Sequence, residues 1–213
     1  MLYIILIIIV VLAYFWGSAS TARIVAKSVR SLNIYKVGSG LADTENIYTN
    51  VSKPLGILVG ALDAAKSYAF LLAVETLFRI LHQHTQMNFA HYTQDTVLIG
   101  YGMIMLIGHC LPVTQHFKGG RGIFTYMGFI AYISFYPMVV TAFIAMLLVY
   151  FYRQIRFAQY LIVLLPVILS QILYSYIPYF KKGLSPHFLS MMFASIVLMG
   201  ILNFIVSKKL GEI

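Results

Sequence analysis

Long, uninterrupted apolar runs are the feature of this chain that most constrains its fold. Of its 213 residues, 61% are hydrophobic and only 10% are charged, whereas a soluble domain carries about a quarter charged residues. Several runs approach the roughly 20 residues with which an α-helix crosses a bilayer core. They are continuous, unlike the alternating strands of an outer-membrane barrel. The sequence therefore predicts an all-α integral membrane protein, a polytopic bundle of about seven transmembrane or hairpin helices that forms a single transmembrane domain over residues 1–213.

Five of the apolar runs have a length that suits a single crossing of the membrane. The predicted spans are Leu2–Trp16, Pro54–Ile80, Thr96–Val113, Phe157–Phe180 and Pro186–Val206. Since each run is apolar almost throughout, each is expected to form a helix that satisfies its own backbone hydrogen bonds in lipid.

The remaining run, Ile123–Tyr152, is too long for one ordinary span. As a single helix it would measure about 45 Å, against a hydrocarbon core of roughly 30 Å. Pro137 lies near its middle, where a helix tends to break. One crossing would also place Arg153 and Arg156 outside, against the positive-inside rule. We therefore predict a helical hairpin with both ends cytoplasmic, and one long helix is the alternative.

The distribution of Lys and Arg predicts the orientation of the chain. The cations nearest to the first span all follow it, which indicates an N-terminus outside and residues 23–53 in the cytoplasm. Lys208 and Lys209 place the C-terminus in the cytoplasm, whereas Lys181 and Lys182 would lie outside. The net charge of +9 is then explained by loops that touch anionic lipid headgroups, and no nucleic-acid partner is expected.

Two pairs of opposite charges interrupt the second predicted span. Asp63 precedes Lys66 by three residues and Glu75 precedes Arg79 by four, so each pair can share one helix face. Ionisable groups at membrane depth usually face a bundle interior or a polar cavity. Two interpretations of these pairs remain: they pair with each other and help the helices to dock, or they have a functional role.

Three histidines lie in the loop that follows, which is predicted to be external. His82 and His84 are close together, His91 is more distant, and Asp95 lies four residues beyond it. This spacing is weak evidence for a metal site. A solvated polar loop is expected, and no metal site is predicted.

A Gly-rich, cationic loop follows the third span. Pro112 loosens the end of that span, and the loop then continues as Lys118, Gly119, Gly120, Arg121 and Gly122. Glycines let backbone N–H groups approach an oxyanion, the next helix offers its N-terminus, and Lys and Arg add full charges. The loop therefore has the chemistry of a phosphate cradle.

The predicted topology brings two further segments to the same membrane face. Gly38–Gly40 and the region of Arg153 and Arg156 lie on the cytoplasmic side together with Lys118–Gly122. Convergence of Gly-rich and cationic segments favours a site for a phosphorylated ligand. The alternative is that the glycines only turn the chain while the cations touch lipid phosphate.

Four motifs follow one another in about the first 125 residues. They are Gly17 with Ser18, Lys36–Gly40 with Asn46, Leu62–Lys66, and Gly108–Val113 followed by Phe117–Gly122. In this order they resemble the motifs of the PlsY-type acyl-phosphate:glycerol-3-phosphate acyltransferase family, whose central motif is Gly-His-x-x-Pro-Val followed by Phe-Lys-Gly-Gly-Lys-Gly. Arg156 and Phe157 resemble the Arg-Tyr that opens a further motif of that family.

The resemblance implies seven membrane helices in a bacterial-type plasma (inner) membrane and transfer of an acyl group from acyl phosphate to glycerol 3-phosphate. The products would be lysophosphatidic acid and phosphate, with no cofactor, metal or acyl carrier protein, and a groove between helices would hold the acyl chain. The resemblance implies catalytic roles for Lys118, Ser39 and His109. The residues expected to bind substrate or phosphate are Gly38, Gly40, Lys36, Asn46, Gly119, Gly120, Arg121, Gly122 and Arg156.

Several positions depart from the family pattern. Tyr35 stands in place of an Arg and Leu41 in place of an Asn, while Asp43 and Glu45 replace Gly and Thr and are expected to repel phosphate. Gln159 replaces a Ser, and the family's C-terminal Arg-His-Arg-Glu-Asn run has no counterpart. The alternative functions are a divergent, non-catalytic lipid- or phosphate-binding relative and a small membrane transporter. No oligomeric state is predicted.

Overall fold

The chain is helical along most of its described length, which in this computed structural model comprises residues 2–85, 88–180 and 185–211. These ranges hold nine α-helices and no strand. The helices are α1 (Leu2–Ser18), α2 (Thr21–Arg30), α3 (Thr44–Asn50), α4 (Lys53–His84), α5 (Asp95–Cys110), α6 (Ile123–Ile133), α7 (Phe135–Tyr152), α8 (Ile155–Tyr176) and α9 (Phe188–Leu210). The expectation for Lys181 and Lys182 falls outside the described residues.

Six helical segments of this part of the chain are long and apolar enough to cross a membrane. They are α1 together with α2, then α4, α5, α7, α8 and α9. The shorter helix α6 is apolar as well. The predicted all-α, polytopic membrane bundle is therefore confirmed, and the chain is a multi-pass membrane protein.

The ends of α4 and α5 differ from the predicted ends of the second and third spans. α4 continues to His84, so His82 and His84 lie in its last turn and not in the predicted loop. This correction follows from local bonding, because Nδ1 of His82 accepts the N–H of Phe89 at 3.3 Å and ties the next segment to the helix end. α5 ends at Cys110. The next residue, Leu111, precedes Pro112, and a residue before proline disfavours the helical conformation.

Ser134 divides the long apolar run Ile123–Tyr152 into α6 and α7, with φ −140° and ψ 74°. The break lies before Pro137, because proline is tolerated in the first turn of a helix, where its missing N–H removes no bond. Arg121, just before α6, and Arg156, in the first turn of α8, line one cleft. The chain therefore leaves this end of the bundle in α6 and returns to it by the end of α7, as a hairpin does.

Small residues let several of these helices pack with their backbones close together. An added Cβ at Gly17 would overlap the carbonyl oxygen of Met105, and one at Gly108 would overlap that of Tyr14, so α1 and α5 touch closely. Gly128 of α6 lies in the same way against the carbonyl oxygen of Ala64 in α4. Close contact at small residues is the usual basis of helix association in membranes.

A second, smaller apolar cluster lies at the end of the bundle where α1 stops. Ala22 and Ala26 of α2, Ile34 of the following 3₁₀ turn and Ile47 of α3 are buried there against Val59 of α4. The opposite face of α2 is exposed. This cluster anchors the turn and α3 on the bundle, and thereby fixes the polar loop that joins them.

Candidate functional site

Asn46 holds the Gly38–Gly40 loop in shape. Its Nδ2 donates to the carbonyl oxygens of Val37 and Leu41 at 2.9 and 2.8 Å, and its Oδ1 accepts the N–H of Ser39 at 3.3 Å. Gly38 and Gly40 both have positive φ, +52° and +72°, which favours glycine. The side chain of Asn46 is buried and bonded to the protein, so it shapes the loop whose Ser39 is exposed.

The Lys118–Gly122 loop is fixed against the end of α5. The N–H of Gly120 donates to the carbonyl oxygen of His109 at 3.3 Å. An added Cβ at Gly119 would overlap that same oxygen, so the backbone approaches more closely than a side chain allows. Gly122 has φ +79° and precedes the first residue of α6. Glycine is therefore required here by geometry, as well as by the phosphate chemistry that the sequence suggests.

Tyr14 and Tyr35 support the start of this loop from two sides. The hydroxyl of Tyr14 donates to the carbonyl oxygen of Leu111 at 2.7 Å and accepts the N–H of Val113 at 2.9 Å. The hydroxyl of Tyr35 donates to Oε1 of Gln115 at 3.5 Å. Burial raises the pKa of Tyr35, an effect that Arg23 opposes. The tyrosine that replaces the family's arginine thus connects the two motif loops.

A polar cleft of about 100 Å³ opens between these loops, α3 and the start of α8. Four residues predicted to form the site lie in its wall, namely Ser39, Asn46, Arg121 and Arg156. Two acidic residues line the cleft with them, Asp43 and Glu45. Thus the cleft joins segments that are distant in sequence, and it combines two guanidinium groups with two carboxyl groups.

Arg121 is the most buried cation of the cleft, with 5% of the residue exposed. Its Nη1 donates to Oγ of Ser207 at 3.1 Å, and its carbonyl oxygen accepts a bond from Asn203 at 3.2 Å. Its Nε lies 3.9 Å from Oε2 of Glu45, which in turn accepts a hydrogen bond from Nε2 of Gln159 at 2.8 Å. Side chains from α3, α8 and α9 therefore orient the guanidinium towards the cleft.

Asp43 lies at the start of α3, where its Oδ1 accepts the N–H of Asn46 at 2.9 Å and caps the helix. Burial raises the pKa of its carboxyl to about 6, and the charge of Glu45 adds to the rise. The N–H of Asn46 and the charge of Arg121 act in the opposite direction. Near neutral pH the cleft thus contains an acid that gains a proton on mild acidification.

A buried charged cluster lies beneath the Gly-rich loop. Nζ of Lys66 pairs with Oδ1 of Asp63 at 2.9 Å, donates to the carbonyl oxygen of Ala19 at 2.7 Å and lies 3.4 Å from Nδ1 of His109. An added Cβ at Gly120 would lie 3.0 Å from Nε2 of His109. His109 of α5 therefore connects this cluster to the loop, and Nζ of Lys66 links α4 to the end of α1 through the carbonyl oxygen of Gly17 at 3.4 Å.

The remaining predicted site residues lie around the cleft without lining it. Lys36 and Lys118 are exposed, and Gly119, Gly120 and Gly122 form the backbone next to Arg121. Sequence reasoning did not assign Thr49 and Asn50 to the site, although both line the cleft. Thr49 and Asn50 follow Asn46 by three and four residues on one helix, so they share its face. This spacing could have predicted that they belong to the site.

An apolar groove of about 420 Å³ lies between α8 and α9, away from the polar cleft. Val167 of α8 and Leu189 and Phe193 of α9 line it. Val167 follows Arg156 by 11 residues, so the groove lies about 16 Å further along α8.

Comparison with known proteins identifies relatives over nearly the whole chain. The family model described as glycerol-3-phosphate acyltransferase matches residues 7–208. Proteins of that name from Mycoplasma mycoides subsp. mycoides and Mycoplasma mobile are each 28% identical, over 75% and 73% of this chain. The matched regions span only 58% and 61% of those two proteins. The namesake from Chlorobium limicola is 28% identical over 92% of this chain and 88% of its own length.

Two solved structures share the fold. Both are crystal structures of PlsY, an integral membrane glycerol 3-phosphate acyltransferase, one in a glycerol 3-phosphate form and one in a lysophosphatidic acid form. The first has a TM-score of 0.70 at 22% identity and covers 95% of this chain and 88% of its own. The second has a TM-score of 0.68 at the same identity and covers 96% and 92%.

Proposed function

Because this chain belongs to the glycerol-3-phosphate acyltransferase family, we propose that it transfers an acyl group from acyl phosphate to glycerol 3-phosphate. The products are lysophosphatidic acid and inorganic phosphate. The observation that carries the proposal is the polar cleft, whose wall combines Arg121 and Arg156 with Ser39 of the Gly38–Gly40 loop. Two guanidinium groups beside a Gly-rich loop suit a phosphorylated acceptor.

The reaction needs little from the protein beyond positioning and charge. The oxygen of the acceptor's 1-hydroxyl attacks the carbonyl carbon of acyl phosphate, and the bond from that carbon to the phosphate oxygen breaks. The hydroxyl proton leaves with the phosphate group. Because acyl phosphate is already activated, holding both substrates in line supplies much of the rate without a protein nucleophile. Cations next to the leaving phosphate stabilise the charge that develops on it.

The proposed roles follow from the positions of the side chains. Arg121 and Arg156 bind the acceptor's phosphate, and Ser39 with the amides of its loop completes that pocket. Lys118, exposed beside the Gly-rich loop, supplies charge to the phosphate of the acyl donor. His109 positions the loop through its carbonyl bond to Gly120.

Other predicted residues act around this pocket. Asn46 acts through the shape of the Gly38–Gly40 loop that it holds. Lys36, exposed on the turn before that loop, attracts phosphorylated substrates to the cleft. The glycines at 119, 120 and 122 allow the loop backbone to approach the phosphate.

An apolar groove between α8 and α9 suits the acyl chain of the donor. The groove formed by Val167, Leu189 and Phe193 lies deeper along the helices than the cleft. Apolar walls at that depth suit the distal part of an acyl chain. We assign this groove to the donor's chain.

The protein acts in this proposal as a single transmembrane domain of a bacterial-type plasma membrane, with its N-terminus outside and its motif loops cytoplasmic. The support comes from the cationic end of α9, where Nζ of Lys209 donates to the carbonyl oxygen of Phe117 at 3.1 Å. The C-terminal lysines and the Gly-rich loop therefore lie on one face, and positive charge favours the cytoplasmic side.

The test is turnover by the full chain purified in detergent. With palmitoyl phosphate and glycerol 3-phosphate, we expect equal amounts of lysophosphatidic acid and released phosphate. Folded protein that binds glycerol 3-phosphate without turnover would indicate a non-catalytic relative. Flux of glycerol 3-phosphate across sealed vesicles, without acylation, would indicate a transporter.

A further inference from the structure

Glu45 contacts the very cation that we assign to phosphate binding. Its Oε2 lies 3.9 Å from Nε of Arg121 and accepts a hydrogen bond from Nε2 of Gln159 at 2.8 Å. Its side chain lines the cleft and is only 28% exposed. Thus a carboxylate largely withdrawn from water shares Arg121 with the acceptor's phosphate.

Phosphate and Glu45 compete for this guanidinium. Two anions beside one cation repel each other, and the repulsion is stronger in a partly buried site than in water. When phosphate binds Arg121, Glu45 therefore loses its ion pair with that residue and retains the neutral bond from Gln159. A partly buried carboxylate that loses its charged partner costs free energy. Binding of the phosphorylated ligand is therefore weakened unless another hydrogen-bond donor replaces that partner.

A hydroxyl group of the ligand is the donor that the cleft can receive at this point. Glycerol 3-phosphate carries a 2-hydroxyl between the acylated carbon and the phosphate ester. With its phosphate between Arg121 and Arg156, the short backbone of this ligand keeps that hydroxyl within the small cleft that Glu45 also lines. Because the acceptor's 1-hydroxyl is the nucleophile, the 2-hydroxyl is the group left to restore a strong hydrogen bond to the carboxylate.

We propose that Glu45 determines acceptor specificity, by giving up Arg121 to the phosphate and accepting a hydrogen bond from the acceptor's second hydroxyl. This inference rests on the proposed acyl transfer to a phosphorylated alcohol. Gln159 holds the carboxylate in place during the exchange of partners. The cleft then favours polyol phosphates over simple hydroxyalkyl phosphates, because only a polyol leaves no unpaired carboxylate.

The test compares glycerol 3-phosphate with 3-hydroxypropyl phosphate, which keeps the phosphate and the primary hydroxyl but lacks the 2-hydroxyl. The protein should prefer glycerol 3-phosphate in kcat/KM. In Glu45→Met, which has similar size and no strong acceptor, this preference should fall about tenfold. Inorganic phosphate should inhibit Glu45→Met roughly threefold more strongly, because Arg121 has lost its competitor.

Gln159→Met is the matched control, since it removes the other partner of Glu45 and leaves the carboxylate in the cleft. It should keep clearly more of the preference for glycerol 3-phosphate than Glu45→Met does, because the carboxylate that accepts the 2-hydroxyl is still present. Equal losses of preference in Glu45→Met and Gln159→Met would show a structural bridge between α3 and α8 and would overturn the proposal. If Glu45→Met does not fold, Glu45→Gln replaces it, with a smaller loss of preference and the same gain in phosphate affinity.

Calorimetric binding of the two acceptors without acyl donor separates this inference from the proposed reaction. A binding preference that disappears in Glu45→Met supports the role of Glu45 even if no turnover is found. Turnover of glycerol 3-phosphate with an unchanged preference in Glu45→Met supports the reaction and overturns the role.

Discussion

Asp43 makes the stability of this protein depend on pH. Its pKa in the fold is about 6, against 3.8 in an unfolded chain. A raised pKa means that the protonated carboxyl is favoured in the fold. Protonation of Asp43 therefore stabilises the fold. This stabilisation is complete below the unfolded pKa of 3.8 and is lost as pH rises through about 6. The shift corresponds to about 3 kcal/mol between the two extremes.

We therefore expect Asp43→Asn to raise the melting temperature at pH 8 by about 5 °C or more. Asparagine still caps α3 and has no charge to bury. Thermal unfolding in detergent, followed by circular dichroism from pH 5 to pH 8, measures the effect. The melting temperature of the unmodified protein should fall over this range more steeply than that of the variant. Parallel curves of melting temperature against pH for the two proteins would contradict the raised pKa of Asp43.

Arg121 is the residue on which phosphate binding most depends in the proposed mechanism. Its guanidinium is fixed by Ser207 and faces Glu45 within the cleft. Removal of one such charge from a preorganised site costs about 100-fold in rate. Arg121→Gln should therefore lower kcat/KM for glycerol 3-phosphate by about that factor.

The matched control for Arg121 is Lys53→Gln, which removes an exposed cation at the start of α4 that does not line the cleft. Steady-state assays of phosphate release should give this control a kcat/KM within about twofold of the unmodified protein, as is usual for isolated surface charges. A similar loss in both variants would assign the effect to the overall charge of this membrane face.

At the scale of elements, hydropathy predicts the spans well because a bilayer demands long apolar helices. Details that depend on neighbours are less predictable. Pro137 correctly suggested a break in the long run, but the break lies at Ser134. The extension of α4 to His84 includes polar residues that hydropathy does not mark as helical.

Helix packing offers a test at this same scale. Gly128 of α6 lies against the carbonyl oxygen of Ala64 in α4, whereas an added Cβ at Gly200 of α9 meets nothing within 4 Å. Alanine is a better helix former than glycine by about 1 kcal/mol. Gly200→Ala should thus leave thermal stability unchanged or slightly higher. Gly128→Ala should lower it, by about 1–3 kcal/mol in free energy, because the helices must separate.

Melting temperatures of the two variants in the same detergent distinguish packing from propensity. A decrease in Gly128→Ala alone supports the close contact between α4 and α6. Equal shifts in both variants would mean that the two helices do not approach as closely as their backbones indicate.

For the molecule as a whole, the sequence predicted which segments converge but not how their charges pair. The motifs placed Ser39, Asn46, Arg121 and Arg156 together, and all four line the cleft. Glu45 was expected only to repel phosphate. Its pairing with Arg121 and Gln159 depends on contacts between α3, the Gly-rich loop and α8. Such long-range contacts have no signature in local spacing, which is why they emerge only in the fold.

The orientation of the whole molecule can be tested by labelling single cysteines. Cys110, the only cysteine of the chain, is fully buried, so it should give little background with a membrane-impermeant maleimide. Lys53 and His84 are exposed at opposite ends of α4. In intact cells we expect the reagent to label His84→Cys and to leave Lys53→Cys unlabelled until the membrane is permeabilised.

Lys209→Cys extends the labelling test to the C-terminus. Lys209 contacts the carbonyl oxygen of Phe117, so it must share a membrane face with the Gly-rich loop. It should therefore behave like Lys53→Cys and react only after permeabilisation. The reverse labelling pattern in all three variants would show that the protein has the opposite orientation, with the cleft outside. Labelling of both α4 variants from one side would show that α4 does not cross the membrane, since a crossing helix separates its two ends by the full bilayer.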